Sequence, residues 1–248
     1  MNKIFKAEIL KNQALTEDVY CLSINVPFNI EAKPGQFFII KINERFDPLL
    51  GRPFSIFDLE DKTLKFLYRV KGKGTSVLSK LREGQNLQIT GPFGKWYPFP
   101  KDDYIVIAGG IGIASVFYLM KKFPKRAYLF YGARHRREIF YYKELEEVAK
   151  EVFISTECGT LDYKGVITEL FRQKGLHLNL PIYSCGPMIM IRELKKLLKN
   201  KDVPCYVATE ERMACGVGAC LGCVIETKEG FKRVCTEGPV FEIGDLIL

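Results

Sequence analysis

Short apolar runs separated by turn residues fill the first part of the chain, to about Pro98. Each run is rich in β-branched or aromatic residues and is bounded by turn signals such as Pro34-Gly35 and Glu83-Gly84, a pattern typical of short strands. The runs are Val19–Val26, Gln36–Ile42, Thr63–Val70 and Leu87–Gly91. Together with a helical insert at Thr75–Leu81, whose N-cap would be Thr75, they predict a small antiparallel barrel of about six strands.

From about Tyr104 the pattern changes to buried apolar runs that alternate with helical segments. The predicted strands are Tyr104–Ala108, Ala127–Tyr131, Val152–Thr156, Ile182–Ser184 and Cys205–Thr209. The predicted helices are Ala114–Lys122, Tyr141–Lys150, Val166–Lys174 and Pro187–Leu198. This alternation predicts a doubly wound parallel sheet of about five strands. The fold class is therefore α+β followed by α/β.

One stretch imitates a membrane span, because Tyr104–Met120 contains no charged residue. It falls just short of the length that a span requires, and Gly109-Gly-Ile-Gly112 interrupts it near its centre. We therefore interpret it as a buried strand followed by a helix, and we expect no contact with a membrane.

Four of the eight cysteines lie close together near the end of the sequence. Cys215, Cys220 and Cys223 have the spacing C-x4-C-x2-C, and Cys235 follows after eleven further residues. This is the plant-type ligand pattern of a [2Fe–2S] cluster. The small residues between the ligands, which let the backbone curl around the sulfurs, are Gly216, Gly218, Ala219 and Gly222. A structural zinc site and simple core packing are the alternatives, although zinc ribbons usually carry two C-x2-C pairs and this segment has one.

Composition adds limits to this interpretation. A chain of 248 residues is long enough for at least two cores, and its first residues contain no apolar segment typical of a secretory signal. The context therefore looks cytosolic, and Cys21, Cys158 and Cys205 are expected to be buried thiols. The net charge of +8 comes from scattered lysines without a basic, aromatic-rich stripe, which argues against nucleic acid as a partner. A local group at Lys195–Lys201 is interpreted as the solvated face of a helix.

Two segments of the predicted barrel suggest a phosphate-bearing ligand. Arg52-Pro53-Phe54-Ser55 begins a strand, where an arginine can pair with a pyrophosphate and a serine can donate to a ring nitrogen. Gly72-Lys73-Gly74 precedes Thr75, and glycines before a helix leave free amides for a phosphate. Alone, the first segment is equally consistent with a surface arginine before an edge strand.

Two glycine-containing loops suggest a second ligand site. Gly109, Gly110 and Gly112 form an incomplete dinucleotide fingerprint after the first strand of the predicted parallel sheet. Cys185, Gly186 and Pro187 follow the fourth strand of that sheet and open another helix. Because the carboxyl ends of parallel strands share one edge, both loops are expected to face a single crevice.

The order of these motifs resembles the ferredoxin–NADP reductase superfamily over nearly the whole chain. The tail, from Glu211 to Cys223 and from Arg233 to Phe241, closely resembles one branch, the electron-transfer subunit of NAD-linked dihydroorotate dehydrogenase type B. Ser115 departs from the superfamily pattern, since relatives often have proline after the glycine loop.

The resemblance implies three domains and three groups of site residues. The domains would be an FAD-binding barrel at 1–99, an NAD-binding-like α/β domain at 100–210 and a [2Fe–2S] subdomain at 211–248. The FAD contacts would be Arg52, Pro53, Phe54, Ser55, Leu67, Tyr68, Arg69, Gly74 and Thr75. The metal ligands would be Cys215, Cys220, Cys223 and Cys235. NAD(H), as substrate, would lie against Gly109, Gly110, Gly112, Cys185, Gly186 and Pro187.

The resemblance also implies an activity in pyrimidine biosynthesis. Electrons would move between NAD(H) and a dihydroorotate-oxidising partner through FAD and the [2Fe–2S] cluster, without a catalytic acid or base in this chain. The partner would be an FMN-containing catalytic subunit in a cytoplasmic heterotetramer with two copies of each chain. It would dock on an apolar surface formed by Val217, Leu221, Val240 and Phe241.

Three alternatives remain at this point. The chain could be the small subunit of an NAD(P)H–ferredoxin oxidoreductase or of a sulfhydrogenase, a branch that often has aspartate at the position of Cys215. It could also be a non-enzymatic binding module stabilised by zinc. The choice between NAD and NADP stays open, because Arg134, Arg136 and Arg137 follow the second strand of the nucleotide domain, where a 2′-phosphate could bind.

Overall fold

The computed structural model describes residues 3–42, 47–159 and 161–248. Its first sheet is antiparallel and has the strand order β4-β3-β7-β1-β2-β6-β5. These strands are β1 (Lys3–Ala14), β2 (Val19–Asn25), β3 (Phe37–Lys41), β4 (Arg52–Ser55), β5 (Asp58–Glu60), β6 (Thr63–Arg69) and β7 (Asn86–Phe93). The sheet curls back on itself, and Phe54 of edge strand β4 therefore meets Phe66 of β6 with ring centroids 6.2 Å apart. The predicted barrel is confirmed.

Strand β1 is missing from the runs predicted by the sequence. It is the longest strand of this sheet and pairs with both β2 and β7. Phe5, Ala7 and Ile9 are buried, and the residues between them are exposed, which is the period-two signature of a half-buried strand. The alternation was present in the sequence, but the exposed apolar residues Ile4 and Leu10 on the outer face concealed it.

The helical insert, α1 (Lys73–Leu78), begins two residues before the predicted start. Gly72 is its N-cap, and the Thr75 hydroxyl accepts the backbone amides of Lys71 at 3.0 Å and Gly72 at 3.2 Å. Thr75 as the N-cap was therefore wrong. This residue stands in the first turn and reaches back to the residues before the helix.

The remaining elements form the second sheet, its covering helices and one hairpin. The strands are β8 (Tyr104–Gly109), β9 (Ala127–Ala133), β10 (Glu151–Thr156), β11 (Tyr163–Lys164), β12 (Ile182–Cys185), β13 (Cys205–Ala208), β14 (Val224–Thr227), β15 (Gly230–Arg233) and β16 (Val240–Glu242). The helices are α2 (Ile113–Lys122), α3 (Tyr142–Val148), α4 (Ile167–Lys174) and α5 (Met188–Leu197).

The second sheet has the order β11-β10-β9-β8-β12-β13-β16, and the predicted doubly wound parallel sheet is confirmed. The five expected strands are parallel, and the chain reverses its direction across the sheet between β8 and β12. A short parallel strand, β11, extends one edge, and antiparallel β16 extends the other. Since β16 comes from the predicted cluster subdomain, that segment is built into the nucleotide sheet.

The charge-free run from Tyr104 divides as expected. It forms β8, a turn at Gly110–Gly112 and α2, and the core contains nearly all of it. Among the helices of the described residues, none has the length and apolar content that crossing a membrane requires.

The curled sheet and the parallel sheet share a packed and charged interface. Phe57 stacks on Phe117 of α2 with ring centroids 4.5 Å apart. Beside this pair, the buried carboxylate of Asp58 accepts Lys121 of α2 at 2.9 Å and Lys65 at 3.2 Å. An ion pair buried on one side and shared by both sheets favours one relative orientation of them.

Candidate functional site

The cluster loop, defined as residues 215–223, winds tightly around its own sulfurs. Gly216, Gly218 and Leu221 have positive φ angles of 71°, 79° and 57°, and leucine rarely adopts this conformation. The amide of Cys220 donates to Cys215 Sγ at 3.4 Å. With the amide of Val217, it lowers the pKa of Cys215 to about 6, which favours the thiolate that binds a metal.

The four predicted ligands are arranged as two pairs of thiols. Cys215 interacts with Cys220, and Cys235 interacts with Cys223. Burial, followed by the neighbouring Cys223 thiol, raises the pKa of Cys235 to about 11. Two thiol pairs under inward-facing amides fit a [2Fe–2S] cluster, in which two irons share four thiolates.

The cluster loop packs directly on the barrel. A Cβ on Gly216 would overlap the Ile39 side chain of β3, and Cys223 and Cys235 share a small core with Phe37 and Phe93. Ile39 pairs with Pro53 of β4. One strand therefore separates the cluster loop from the predicted flavin motif.

Arg52 and Gly74, which are distant in sequence, lie in contact. A Cβ on Gly74 would stand 2.6 Å from Arg52 Cζ, so only glycine lets the guanidinium lie against the start of α1. Arg52 also donates to the carbonyl of Leu50. The two predicted phosphate-binding segments are thereby brought together. The space that a side chain at position 74 would need is occupied by the Arg52 guanidinium.

Arg52 opens into a cleft of about 550 Å³, here named the flavin cleft. Pro53 and Lys73 line it beside Arg52, and the segment Glu211–Met213 forms its far wall. Lys73 is ion-paired with Asp47. Neither Lys73 nor Glu211–Met213 was among the predicted site residues, although Lys73 lies between Gly72 and Gly74 and Met213 stands two residues before Cys215.

The other predicted flavin residues have side chains that serve the fold. Phe54 packs on Tyr68 with ring centroids 5.6 Å apart, and the Tyr68 hydroxyl donates to Asn12 at 3.1 Å. Leu67 is buried toward the parallel sheet. Arg69 forms ion pairs with Asp18 at 3.4 Å and with Glu138 at 3.1 Å. These side chains are engaged within the protein, so a flavin contact from β6 would involve its backbone, and that assignment stays a prediction.

The glycine crevice, defined as residues 109–112 and 185–187, is built from two touching loops. A Cβ on Gly112 would overlap the Cys185 carbonyl oxygen and lie 2.8 Å from the Gly186 amide nitrogen. A Cβ on Gly109 would lie 2.7 Å from Pro187 Cδ. Gly110 has φ of 53° and faces open space. The loops therefore meet backbone to backbone with an open side above Gly110, as the sequence predicted for one shared crevice.

A buried polar cluster lies beneath the glycine crevice. The Tyr97 hydroxyl donates to the Ser184 carbonyl at 3.1 Å and lies 3.4 Å from the Ser115 hydroxyl. The Cys185 thiol is also hydrogen-bonded to Ser115, and burial raises its pKa well above the usual range. A buried neutral thiol is a poor nucleophile, which agrees with a packing role. Sequence reasoning missed Tyr97, since no local pattern marks it.

Two predictions about exposure were wrong. Val240 was expected on the docking surface but is buried in β16 opposite Ala208, whereas Phe241, the other residue of β16 expected there, is half-buried and packs against Gly238. Cys21 and Cys205 are buried as expected, whereas Cys158 is exposed.

Family models match two parts of the chain. Residues 106–196 match the oxidoreductase NAD-binding domain, which contains the glycine crevice. Residues 210–247 match the iron–sulfur cluster binding domain of dihydroorotate dehydrogenase B, which contains all four predicted ligands.

Solved structures share the fold over most of the chain. The NADH-dependent reduced ferredoxin–NADP oxidoreductase, studied for flavin-based electron bifurcation, superimposes with a TM-score of 0.87 at 25% identity, covering 97% of this chain and 89% of that one. The ferredoxin–NADP⁺ reductase of Neisseria gonorrhoeae, solved with FAD and NADP, has a TM-score of 0.68 at 18% identity, covering 85% of this chain and 95% of that one.

Curated relatives match at higher identity over nearly full length. The electron transfer subunit of dihydroorotate dehydrogenase B (NAD(+)) from Clostridium acetobutylicum is 38% identical, covering 97% of this chain and 96% of the relative. A homolog of that subunit from Aquifex aeolicus is 37% identical, covering 98% of both chains. The chain therefore belongs to the family of electron transfer subunits of NAD(+)-dependent dihydroorotate dehydrogenase B.

Proposed function

We propose that this chain transfers electrons between NAD(H) and a dihydroorotate-oxidising partner subunit, as an oxidoreductase component of pyrimidine biosynthesis. The observation that carries the proposal is the packing of the cluster loop on β3, beside the strand that bears Arg52 and Pro53. This arrangement supports a short path between the flavin cleft and the cluster.

Each part of the chain has a distinct role in the proposal. Arg52 pairs with the flavin phosphates, and the glycine crevice accepts the nicotinamide nucleotide against its backbone. The thiolates of Cys215, Cys220, Cys223 and Cys235 hold the two irons. The chemistry that FAD and the cluster supply when bound is the conversion of a two-electron hydride transfer into single-electron transfers. We assign these roles to an FAD-binding barrel at 1–99, an NAD-binding domain at 100–210 and a cluster subdomain at 211–248.

The exposed side of the cluster loop supports a protein partner. Val217 is 56% exposed and Leu221 is 61% exposed, and Val224 beside them is 39% exposed. Apolar side chains over an electron-carrying site suit a docking surface that closes on assembly. The partner would be an FMN-containing catalytic subunit, in a cytoplasmic heterotetramer with two copies of each chain.

Activity measurements on the separate and combined subunits test this proposal. The purified chain should reduce artificial acceptors with NADH and leave dihydroorotate unchanged, and addition of the catalytic subunit should couple the two reactions. Leu221→Asp should weaken assembly while the cluster spectrum persists. The matched control is Ile4→Asp, at a residue of β1 that is 70% exposed and outside the cluster loop. Conversion of dihydroorotate to orotate by this chain alone, or no complex on mixing, would contradict the proposal.

A second candidate function has one specific observation in its favour. The similarity to the NADH-dependent reduced ferredoxin–NADP oxidoreductase is high in shape, with a TM-score of 0.87. Against it stand the higher identity to dihydroorotate dehydrogenase subunits and the thiol of Cys215, where that branch often has aspartate. NADH-driven reduction of ferredoxin, without a complex with the dihydroorotate-oxidising subunit, would favour this second candidate.

A further inference from the structure

A second cleft, here named the basic cleft, lies far from the glycine crevice. It has a volume of about 590 Å³ and lies at the carboxyl end of α5, beside the start of β13 and the end of β16. The glycine crevice occupies the opposite edge of the same sheet, at the carboxyl ends of β8 and β12. A ligand in the basic cleft would therefore leave the redox site accessible.

The lining of the basic cleft is strongly cationic. Its cationic residues are Arg192, Lys195, Lys196, Lys199, Lys201 and Lys228, and its carboxylates are Asp202 and Glu242. Six positive against two negative side chains give a net +4, which is half of the formal net charge of +8. The sequence suggested that the lysines at the end of α5 form a solvated helix face. In the structure they also line a concave surface.

Most of these cations have no acidic partner. Lys196 pairs with Glu193 at 2.6 Å, and Lys195 donates to the Leu246 carbonyl. Within the part of the chain that the structure describes, no salt bridge involves any of the other four cations. Several unpaired cations around one cleft raise the local potential and favour a ligand with several negative charges.

The floor of the basic cleft is apolar. Leu198, Val203, Pro204, Ile243 and Leu248 line it together with the cations, and Leu198 and Ile243 are the buried members of this set. A cleft of this volume lies in the range of small-molecule sites, which combine apolar walls with a few charged groups that fix orientation. Lysine binds phosphate as a point charge, and the apolar floor offers a surface for a flat heterocycle.

We propose that the basic cleft binds a nucleoside triphosphate, with its phosphates on the lysines and its base on the apolar floor. This site goes beyond the proposed electron transfer and requires neither flavin nor cluster. The cleft lies between α5, whose other end borders the glycine crevice, and the turn that contains Lys228. The Lys228 amide of this turn donates to the Asp245 carbonyl at 2.8 Å. The cleft therefore bridges the nucleotide sheet and the cluster segment.

Calorimetric titration of the full chain tests the site. ATP, UTP and inorganic triphosphate are titrated in turn at physiological salt, with saturating NAD⁺ to occupy the glycine crevice. A nucleoside triphosphate should bind with one-to-one stoichiometry and more tightly than inorganic triphosphate. The double variant Lys199→Glu/Lys228→Glu should weaken its binding about tenfold or more, because each ammonium contributes a hydrogen bond to a charged group. Its NADH-dependent reduction of artificial acceptors should stay unchanged.

The matched control is Lys62→Glu/Lys80→Glu, which changes the net charge equally at exposed barrel positions. It should leave binding unchanged. An equal loss of affinity in this control, or no saturable binding by the parent chain, would overturn the site. Equal affinity for inorganic triphosphate would overturn the nucleoside assignment. If the double variant lost complex formation with the catalytic subunit and the parent chain bound no nucleotide, the cleft lysines would serve an acidic protein partner instead. That result would also overturn the proposal.

Discussion

The cluster loop and the glycine crevice present their binding groups in opposite ways. In the cluster loop the predicted binding atoms are side-chain sulfurs, and the surrounding residues, such as Val217 and Leu221, are largely exposed. In the glycine crevice the predicted binding surface is backbone, and the space of a single Cβ at Gly112 is already taken by the Cys185 carbonyl.

This difference determines what each region tolerates. The cluster loop depends on the identity of its three predicted ligand atoms and on a few left-handed backbone positions, so we expect the exchange of one ligand atom to be decisive. The glycine crevice depends on volume, because the loops must approach each other more closely than any side chain permits. One kind of mutation changes a predicted ligand atom in the cluster loop, and another adds volume between the two loops of the glycine crevice. Together they test the comparison.

The largest effect is expected from Cys220→Ser. A serine hydroxyl is a hard, weakly acidic ligand, and irons in such clusters require soft thiolates. The variant should lose its iron and its cluster absorption while it retains flavin, since Arg52 lies on the barrel and Cys220 does not line the flavin cleft. Iron and sulfide analysis with a visible spectrum measures this result. The control is Cys158→Ser, at an exposed cysteine outside the loop. A complete cluster in Cys220→Ser would remove Cys220 from the ligand set.

Arg52→Ala tests the side-chain mode of binding on the barrel. The guanidinium is held against Gly74 at the edge of the flavin cleft, so its loss should remove a charged hydrogen bond to the flavin phosphates. FAD binding should weaken by about 1.5–3 kcal/mol, measured by titration of the flavin-free protein. Arg82→Ala, at an exposed arginine of the same barrel, is the control. Equal affinity in both variants would exclude Arg52 from the flavin site.

The sequence indicated the succession of the two sheets because that depends on local patterns; the cysteine spacing is local too, and the ligand assignment that rests on it stays a prediction. Cysteine spacing is readable within nine residues, and apolar periodicity revealed most strands. The meeting of Arg52 with Gly74 was expected from the combination of two phosphate-type segments and from the family resemblance; neither segment shows it alone, since tertiary structure brings them together. Strand β1 was missed because the exposed apolar residues Ile4 and Leu10 interrupt its alternation, and Thr75 was misplaced because its hydroxyl closes the turn before the helix.

Gly112→Ala tests the volume requirement of the glycine crevice. The φ and ψ of Gly112, −59° and −18°, are ordinary for alanine, so any effect must come from the new methyl group. Overpacking against the Cys185 carbonyl should destabilise the protein by about 1–3 kcal/mol and raise the KM for NADH while the cluster spectrum persists. Thermal unfolding and steady-state kinetics measure both effects. Gly244→Ala, where a Cβ meets nothing within 4 Å, is the control. An unchanged KM in Gly112→Ala would mean that the loops can separate without loss of binding.

Residues below the crevice were beyond sequence reasoning for a clear physical reason. Tyr97 bonds to Ser115, 18 residues away, and to Ser184, 87 residues away. No window of the sequence contains these partners, and a tyrosine between two domains resembles any other linker residue. Burial of the polar cluster is a property of the assembled sheets.

The smallest effect is expected from Tyr97→Phe, which removes one oxygen and retains the buried ring. Burial raises the pKa of Tyr97 well above its usual range, so its hydroxyl remains protonated and donates to the Ser184 carbonyl at 3.1 Å. Loss of this bond should destabilise the protein by about 0.5–1.5 kcal/mol, a fall in Tm of about 2–4 °C for each kcal/mol. Because the bond fixes the end of β12, where Cys185 leads into Gly186 of the glycine crevice, the KM for NADH should rise slightly. Flavin and cluster content should not change. Tyr206→Phe, at a half-buried tyrosine of the neighbouring strand, is the control. If both variants have the same Tm and KM as the parent chain, the crevice is held in place by backbone packing alone, and the buried hydroxyl makes no measurable contribution.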